Sequence, residues 1–317
     1  MLTKHNILWS KGIIRDVKQD NGYYLKQTER SSSMIDIRNL IDNAKNYIFI
    51  RNGSVRINSV LSKDGKVQQM ITPYVRDLDY FAQLLDRLKT PVILITSDGD
   101  RPVPSSCHPV TISKILSSNK ILKWYTQNYD KTIIHDKISH FPIGFDLHSN
   151  HLTINNNIND TIRFYLECRN SSPVNNRIKN RIYCDSHLSK THSERGELYE
   201  ILKSNKFIDF SKERIPFSEN TKQYNKYNFV LSPRGNGLDC HRTWELFIAG
   251  AIVITKTSSL DDMYINNELP VVILNDWNEL NDENLDEKLA SYYKKYSDKT
   301  VLEHILPRLT TTYWLET

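Results

Sequence analysis

Phe229-Val-Leu-Ser-Pro-Arg-Gly-Asn-Gly-Leu-Asp-Cys-His-Arg-Thr-Trp-Glu-Leu-Phe-Ile-Ala-Gly-Ala-Ile-Val-Ile254 is the stretch that decides the fold. Its apolar opening, continued back to Tyr227, reads as a buried strand. Ser232-Pro233-Arg234-Gly235-Asn236-Gly237 is turn chemistry that ends the strand. From Cys240 the apolar residues recur at helical spacing, and Gly250 closes that helix. Ala251-Ile252-Val253-Ile254 is a second buried strand. A strand, a helix and a strand in this order make a crossover unit of a parallel sheet. The glycines sharpen the reading. The chain has only 10 among 317 residues, about half the usual frequency, yet Gly235, Gly237 and Gly250 all fall in this stretch.

The same rhythm extends outward in both directions. Downstream, 270–274 is another strand and the tail from 284 is helical in composition. Upstream, 181–184 and 207–210 are strands, and 193–203 is a helix with Ser193, Glu194 and Glu197 at its start. In the first half, 35–45 and 78–88 have helical periodicity, and 47–50 is a short apolar run ended by Asn52-Gly53. Residues 91–96 form a continuous β-branched run, as in a strand buried on both faces. Shorter strands are predicted at 121–125 and 137–141. Residues 31–33 read as a loop or cap, and the Asn- and His-rich 149–160 as a linker. Strands alternating with helices predict α/β architecture with parallel sheets.

Composition excludes several classes. Hydrophobic residues are 39% and charged residues 25%, too apolar for a disordered chain. The longest apolar run, 246–254, is too short to span a bilayer. The first residues carry no long apolar segment, so no cleaved secretory signal is expected. A net charge of +5, spread along the sequence, suits one anionic ligand and argues against nucleic acid, which calls for a concentrated basic face. Cys107, Cys168, Cys184 and Cys240 are far apart and read as reduced thiols of a cytosolic protein.

The quoted stretch also carries chemistry. In open parallel sheets, ligands bind outside the carboxyl ends of the strands. The loop N–H groups of Gly235, Asn236 and Gly237, with Ser232, lie at a helix N-terminus suited to phosphate. Arg234 and Arg242 add charge and forked donors. Glu245 follows Arg242 by one helical turn, where a carboxylate suits vicinal hydroxyls such as a ribose. An anion site beside a diol site describes a nucleotide-diphosphate pocket. Asp239 falls in the same loop. Arg195, a cation at a helix start, is placed against the dipole, which makes it a further candidate for phosphate. The competing reading is a plain strand–turn–helix with Arg242 and Glu245 as an ion pair.

This segment resembles the C-terminal signature of exostosin-like, GT47-type glycosyltransferases: a strand, Ser/Cys-Pro-x-Gly, Arg-x-x-Glu, then Ala-Gly and a buried strand. Trp124 to Tyr129 and Pro142-x-Gly144-x-Asp146-x-His148 look like segments of related viral and bacterial transferases. The resemblance implies a GT-B chain, with two Rossmann-like domains whose parallel sheets face a cleft. On it, 1–155 is the acceptor domain, 156–300 the nucleotide-sugar domain, and 301–317 a helix packing back on the first domain. It implies that Arg242 contacts the diphosphate and Glu245 the ribose. It also implies an inverting transfer of sugar from a nucleoside diphosphate, by family analogy UDP, to a hydroxyl of a glycan or glycoprotein. Asp98 or Asp100, after the strongest N-terminal strand, is then the base, the competing reading being that the two only cap a turn; Asp146 and His148 line the acceptor or sugar cleft or form a structural turn. No metal is required; an Asp-x-Asp site for Mg²⁺ or Mn²⁺ at Asp98 and Asp100 is the alternative, as is a non-catalytic nucleotide- or carbohydrate-binding module. The expected location is the cytoplasm, that of an infected host for a viral protein.

Overall fold

The computed structural model describes residues 2–10, 34–52, 54–55, 75–149, 152–172 and 176–316. The loop expected at 31–33, the Gly53 turn and part of the expected linker lie outside the described residues. The chain divides into two compact units, Ile13–Phe141 and a larger one formed by Met1–Gly12 with Pro142–Thr317.

The smaller unit runs α1 (Met34–Asn43), β1 (Tyr47–Arg51), a short antiparallel pair β2 (Ser54–Val55) and β3 (Val75–Arg76), α2 (Asp77–Gln83), β4 (Val92–Ser97), α3 (Pro109–Ser117), β5 (Ile121–Thr126) and β6 (Ile138–His140). Its main sheet is parallel throughout, in the order β1-β4-β5-β6. The β-branched run at β4 occupies an inner position, buried nearly end to end. Buried hydroxyls join the carboxyl ends of the inner strands: Thr96 Oγ1 donates to Thr126 Oγ1 at 2.6 Å and accepts from Trp124 Nε1 at 2.9 Å. Helix α3 has weak apolar periodicity but a legible start. His108 Nδ1 accepts from the Val110 N–H at 3.2 Å, and Pro109 occupies the first turn.

The larger unit runs α4 (Ile158–Ser171), β7 (Ile178–Cys184), α5 (Glu194–Leu202), β8 (Ile208–Phe210), α6 (Phe217–Tyr224), β9 (Tyr227–Leu231), α7 (His241–Ala249), β10 (Ile252–Lys256), α8 (Asp261–Asn266), β11 (Val271–Leu274), α9 (Leu285–Tyr296), α10 (Leu302–Arg308) and α11 (Thr311–Glu316). Its five strands are all parallel, in the order β11-β10-β9-β7-β8. Every residue of β9 is buried, and so is α7 from Thr243 onward. Each large apolar side chain buried there contributes roughly 1.5–3 kcal/mol, so the quoted stretch is the centre of this unit. Two buried arginines hold the far end of α7. Arg169 donates to the carbonyls of Ile248, at 3.1 Å, and of Thr300; Arg177 donates to that of Gly250 at 2.8 Å. Cations at a helix C-terminus are favoured by the dipole. Gly250 is obligatory: its φ is 78°, and a Cβ would meet Arg169 Nη1 at 3.0 Å.

Two parallel-sheet α/β units in one chain is the fold class expected, that of GT-B proteins. Three expectations change. The units divide at Pro142, not at 155/156: much of the expected linker folds as α4, whose start Asn157 caps by accepting from the Asn159 and Asp160 N–H groups. The tail 301–317 belongs to the larger unit, with Met1–Gly12. The Leu8 N–H donates to the Leu309 carbonyl at 2.8 Å, the Thr311 N–H to that of Asn6 at 3.0 Å, and Trp314 packs edge-on against Trp244 of α7, centroids 5.6 Å apart. The partner of the tail is therefore the N-terminal segment together with α7. Third, Ser193 makes no side-chain cap to α5. Among the described residues, no helix is long and apolar enough to cross a membrane.

Candidate functional site

The loop between β9 and α7 is tied down atom by atom. Ser232 Oγ lies 2.9 Å from Thr243 Oγ1, on α7. Arg195 sends its fork into the loop backbone: Nε donates to the Arg234 carbonyl at 2.8 Å and Nη2 to that of Pro233 at 3.2 Å. These contacts give Arg195 a structural role in the loop. Its buried guanidinium holds the loop, and its position at the start of α5 follows from those carbonyls. Burial, reinforced by the charge of Arg242, lowers its pKa. The Gly235 N–H donates to Cys240 Sγ at 3.0 Å, inside the loop. A Cβ on Gly235 would sit 3.3 Å from Arg195 Nη2; the glycine makes room for the clamp. Asn236 is exposed and Gly237 buried. Arg234 is half-buried, and its Nε has no hydrogen-bond partner among the described residues.

Asp239 is likewise an internal support. Its carboxylate accepts from the Ile143 N–H at 2.7 Å and from Trp244 Nε1 at 2.9 Å. Burial pushes its pKa up to about 6. It joins the segment after β6 to the start of α7, and both oxygens accept hydrogen bonds within the unit.

Arg242 and Glu245 stand one turn apart on α7, in different company. Arg242 Nη1 donates to Ser186 Oγ at 2.7 Å, Nη2 lies 3.3 Å from Asp185 Oδ2, and Nε donates to Tyr224 Oη at 3.3 Å. Burial opposes its charge, but Asp185 and the Tyr224 hydroxyl outweigh that and hold its pKa well above the ordinary value. Asp185 is positioned in turn: its Oδ2 accepts from Asn220 Nδ2 at 2.7 Å and from Tyr224 Oη at 3.0 Å, while its buried Oδ1 has no partner among the described residues. Glu245 is buried beside Asp146 and Tyr165. Burial, with the nearby Asp146 charge, lifts its pKa to about 7. The two carboxyls are driven apart: burial raises Asp146, but the charges of His241 and His148 and hydrogen bonds from Ser149 hold it below its ordinary value. Neighbouring acids with separated pKa values divide the tasks of charge and proton.

Asp146 and His148 come together with His241, the first residue of α7. His148 Nδ1 is 3.0 Å from Asp146 Oδ1, and His241 Nδ1 is 2.8 Å from the Gly144 carbonyl. Gly144 makes this turn possible: its φ is 68°, and a Cβ would overlap the Leu8 carbonyl at 2.2 Å. Asp98 and Asp100 belong to the smaller unit. Asp98 directly follows β4 with φ 61°, its N–H donating to Gln127 Oε1 at 3.0 Å and its carboxylate 2.7 Å from Arg51 Nη2. Asp100 is exposed.

Sequence reasoning passed over Asp185, Ser186, Tyr165, Tyr224 and His241. Asp185 had a signal: it directly follows β7, a strand whose last three residues are buried, where parallel sheets place ligand-binding groups. His241 stood within the quoted stretch, beside Arg242. The tyrosines carried none, because their hydroxyls are selected by distant partners.

No family model matches the chain, and no curated protein matches it. Similar solved structures exist. The UDP-GlcNAc 2-epimerase of Methanocaldococcus jannaschii is 13% identical over 84% of this chain and 74% of that one, with a TM-score of 0.35. WaaG, a glycosyltransferase involved in lipopolysaccharide biosynthesis, is 13% identical over 76% and 83%, with a TM-score of 0.32. A chain of the GtfA/B complex is 10% identical over 80% and 63%, with a TM-score of 0.33.

Proposed function

We propose that the larger unit binds a nucleoside-diphosphate sugar, with uridine the expected base, and that the chain transfers the sugar to a hydroxyl of a glycan. The observation that carries this reading is the pair on α7. Arg242 is held as a cation by Asp185 at the carboxyl ends of β7 and β9, and Glu245 is a buried carboxyl one turn further on. A fixed cation at a helix start suits a diphosphate, and a carboxyl one turn on suits two ribose hydroxyls. Arg234, with its partnerless Nε, is the second diphosphate contact. In the transfer, the acceptor oxygen attacks the anomeric carbon, the bond to the diphosphate oxygen breaks, and the acceptor proton passes to a carboxylate. Asp98 is assigned as that base in preference to Asp100, because a strand end and Arg51 fix its position. Arg242, Arg234 and the dipole of α7 stabilise the charge on the leaving diphosphate, and no cation is assigned to it.

A second reading is favoured by one contact. The Asp98 carboxylate is already paired with Arg51, which suits a binding module that holds the donor without transferring it. Thermal unfolding against UDP, GDP, ADP, CMP and their sugars tests the pocket. A ligand at one hundred times its Kd adds about 2.7 kcal/mol, and a shift with one base alone is expected. No shift with any of them overturns the assignment. Slow hydrolysis of the bound donor then separates an enzyme from a module.

A further inference from the structure

The turn after β6 meets the first residue of α7 in a constellation of two imidazoles and one carboxylate, and we infer that Asp146, His148 and His241 bind a first-row divalent transition-metal ion such as Zn²⁺. One donor atom from each residue lies within 4.8 Å of the others. His148 Nδ1 and Asp146 Oδ1 are 3.0 Å apart, close to the spacing of two donors each about 2.0–2.2 Å from one ion. The ion would take the place of a hydrogen between the two atoms. His241 supplies the independent evidence. Its Nδ1 is 2.8 Å from the Gly144 carbonyl, and a carbonyl only accepts. Nδ1 therefore carries the hydrogen, and in the neutral ring Nε2 carries the lone pair. A histidine ligand whose other nitrogen donates to a backbone carbonyl is the usual arrangement around bound metals.

The remaining features fit. The His148 side chain is 32% exposed and that of Asp146 only 12%, so the site is anchored on one side and leaves open positions toward solvent. Its position at the start of α7 sets the helix dipole against a cation. Asp146 and the neighbouring Glu245, whose charges sense each other, offset this. Two nitrogen donors and one oxygen select zinc, cobalt or nickel over magnesium and calcium, which prefer all-oxygen sites. The ion would pin the 144–148 turn to α7 beside Glu245. This inference stands apart from nucleotide binding, because it is measured without any nucleotide.

The test uses the untagged full chain, freed of metal by chelation and titrated with Co²⁺ in the absence of nucleotide. One equivalent is expected to develop a visible d–d band, Zn²⁺ to abolish it by competition, and both ions, unlike Mg²⁺ or Ca²⁺, to raise the unfolding temperature. His148→Ala and the nearly isosteric Asp146→Asn, each checked for an unchanged metal-free unfolding temperature, are expected to weaken Co²⁺ binding about a hundredfold. Wild-type protein that gives no band at millimolar Co²⁺ overturns the proposal. So does wild-type affinity in either variant.

Discussion

Each parallel sheet ends in a polar turn after its most buried strand, and the two turns are held in opposite ways. After β9, the loop is clamped by side chains from its own surroundings in the larger unit: Arg195 on its carbonyls, Cys240 on the Gly235 N–H, and Asp239 beneath the start of α7. After β4, the turn is held by Gln127 on the Asp98 N–H, Arg51 on the Asp98 carboxylate and Asn128 on the Gly99 carbonyl, and Asp98 is the carboxylate so fixed. The first arrangement fixes the loop backbone beside Arg242, which suits binding a large anion. The second fixes a single group, which suits a proton transfer. The proposal that the larger unit binds the donor and that Asp98 is the base draws on that difference.

The sharpest way to break the comparison is Asp98→Asn. Asparagine tolerates the left-handed backbone at this position, so the turn is kept while the basic oxygen is lost. Turnover is expected to fall about 10²–10⁴-fold, with donor affinity unchanged. Asp100→Asn is expected to stay within about twofold, as an exposed carboxylate away from the reacting atoms. Steady-state kinetics beside donor titration decides. Normal turnover in Asp98→Asn makes the smaller turn structural and moves the base elsewhere.

Arg242→Ala tests the other side. Removing a fixed, charge-assisted donor is expected to weaken donor binding about a hundredfold. It also strands Asp185, so stability is expected to fall by about 2–4 kcal/mol. Asp185→Asn in the same chain is expected to restore much of that stability and none of the affinity. Urea unfolding and calorimetric titration separate the two. Equal loss of stability in the single and double variants breaks the assigned pairing.

The unequal density of these turns also explains what the sequence could show. The β9–α7 stretch was legible because its buried strands, glycines and Arg-x-x-Glu spacing are local, and period alone places Arg242 and Glu245 on one face. The strands of both sheets were legible for the same reason. The roles of Arg195 and Asp239 were not. An arginine at a helix start and an aspartate in a loop look like ligand contacts until their partners are known, and those partners, Pro233, Arg234 and Ile143, are 38, 39 and 96 residues away. Helix α4 was hidden under an Asn-rich start that caps it. The path of the tail was decided by contacts to residues 6–8, more than 300 positions upstream.

Arg195→Lys measures how much the clamp contributes. A lysine keeps the charge but cannot reach two carbonyls in a fixed fork. Stability is expected to drop by about 1–2 kcal/mol and donor affinity about tenfold, because Arg234 loses its fixed backbone. An unchanged affinity means that the loop is rigid without the clamp.

The smallest effect is a pH dependence, and its sign follows from Glu245. Its pKa of about 7 in the folded protein lies above its ordinary 4.5. The stability linked to this group is therefore fully present below about pH 4.5 and lost as pH rises through about 7. Donor binding runs the other way. An ionised carboxylate accepts from both ribose hydroxyls, so affinity for a nucleotide sugar is expected to rise about tenfold between about pH 6 and pH 8. The donor diphosphate has no ionisation in that range, and a nucleotide sugar is therefore a cleaner probe than free UDP. Glu245→Gln is expected to bind with a flat profile and to lose the stability slope. A flat profile in the wild-type chain removes Glu245 from the ribose contact and leaves it as a buried neighbour of the Asp146 turn and Tyr165.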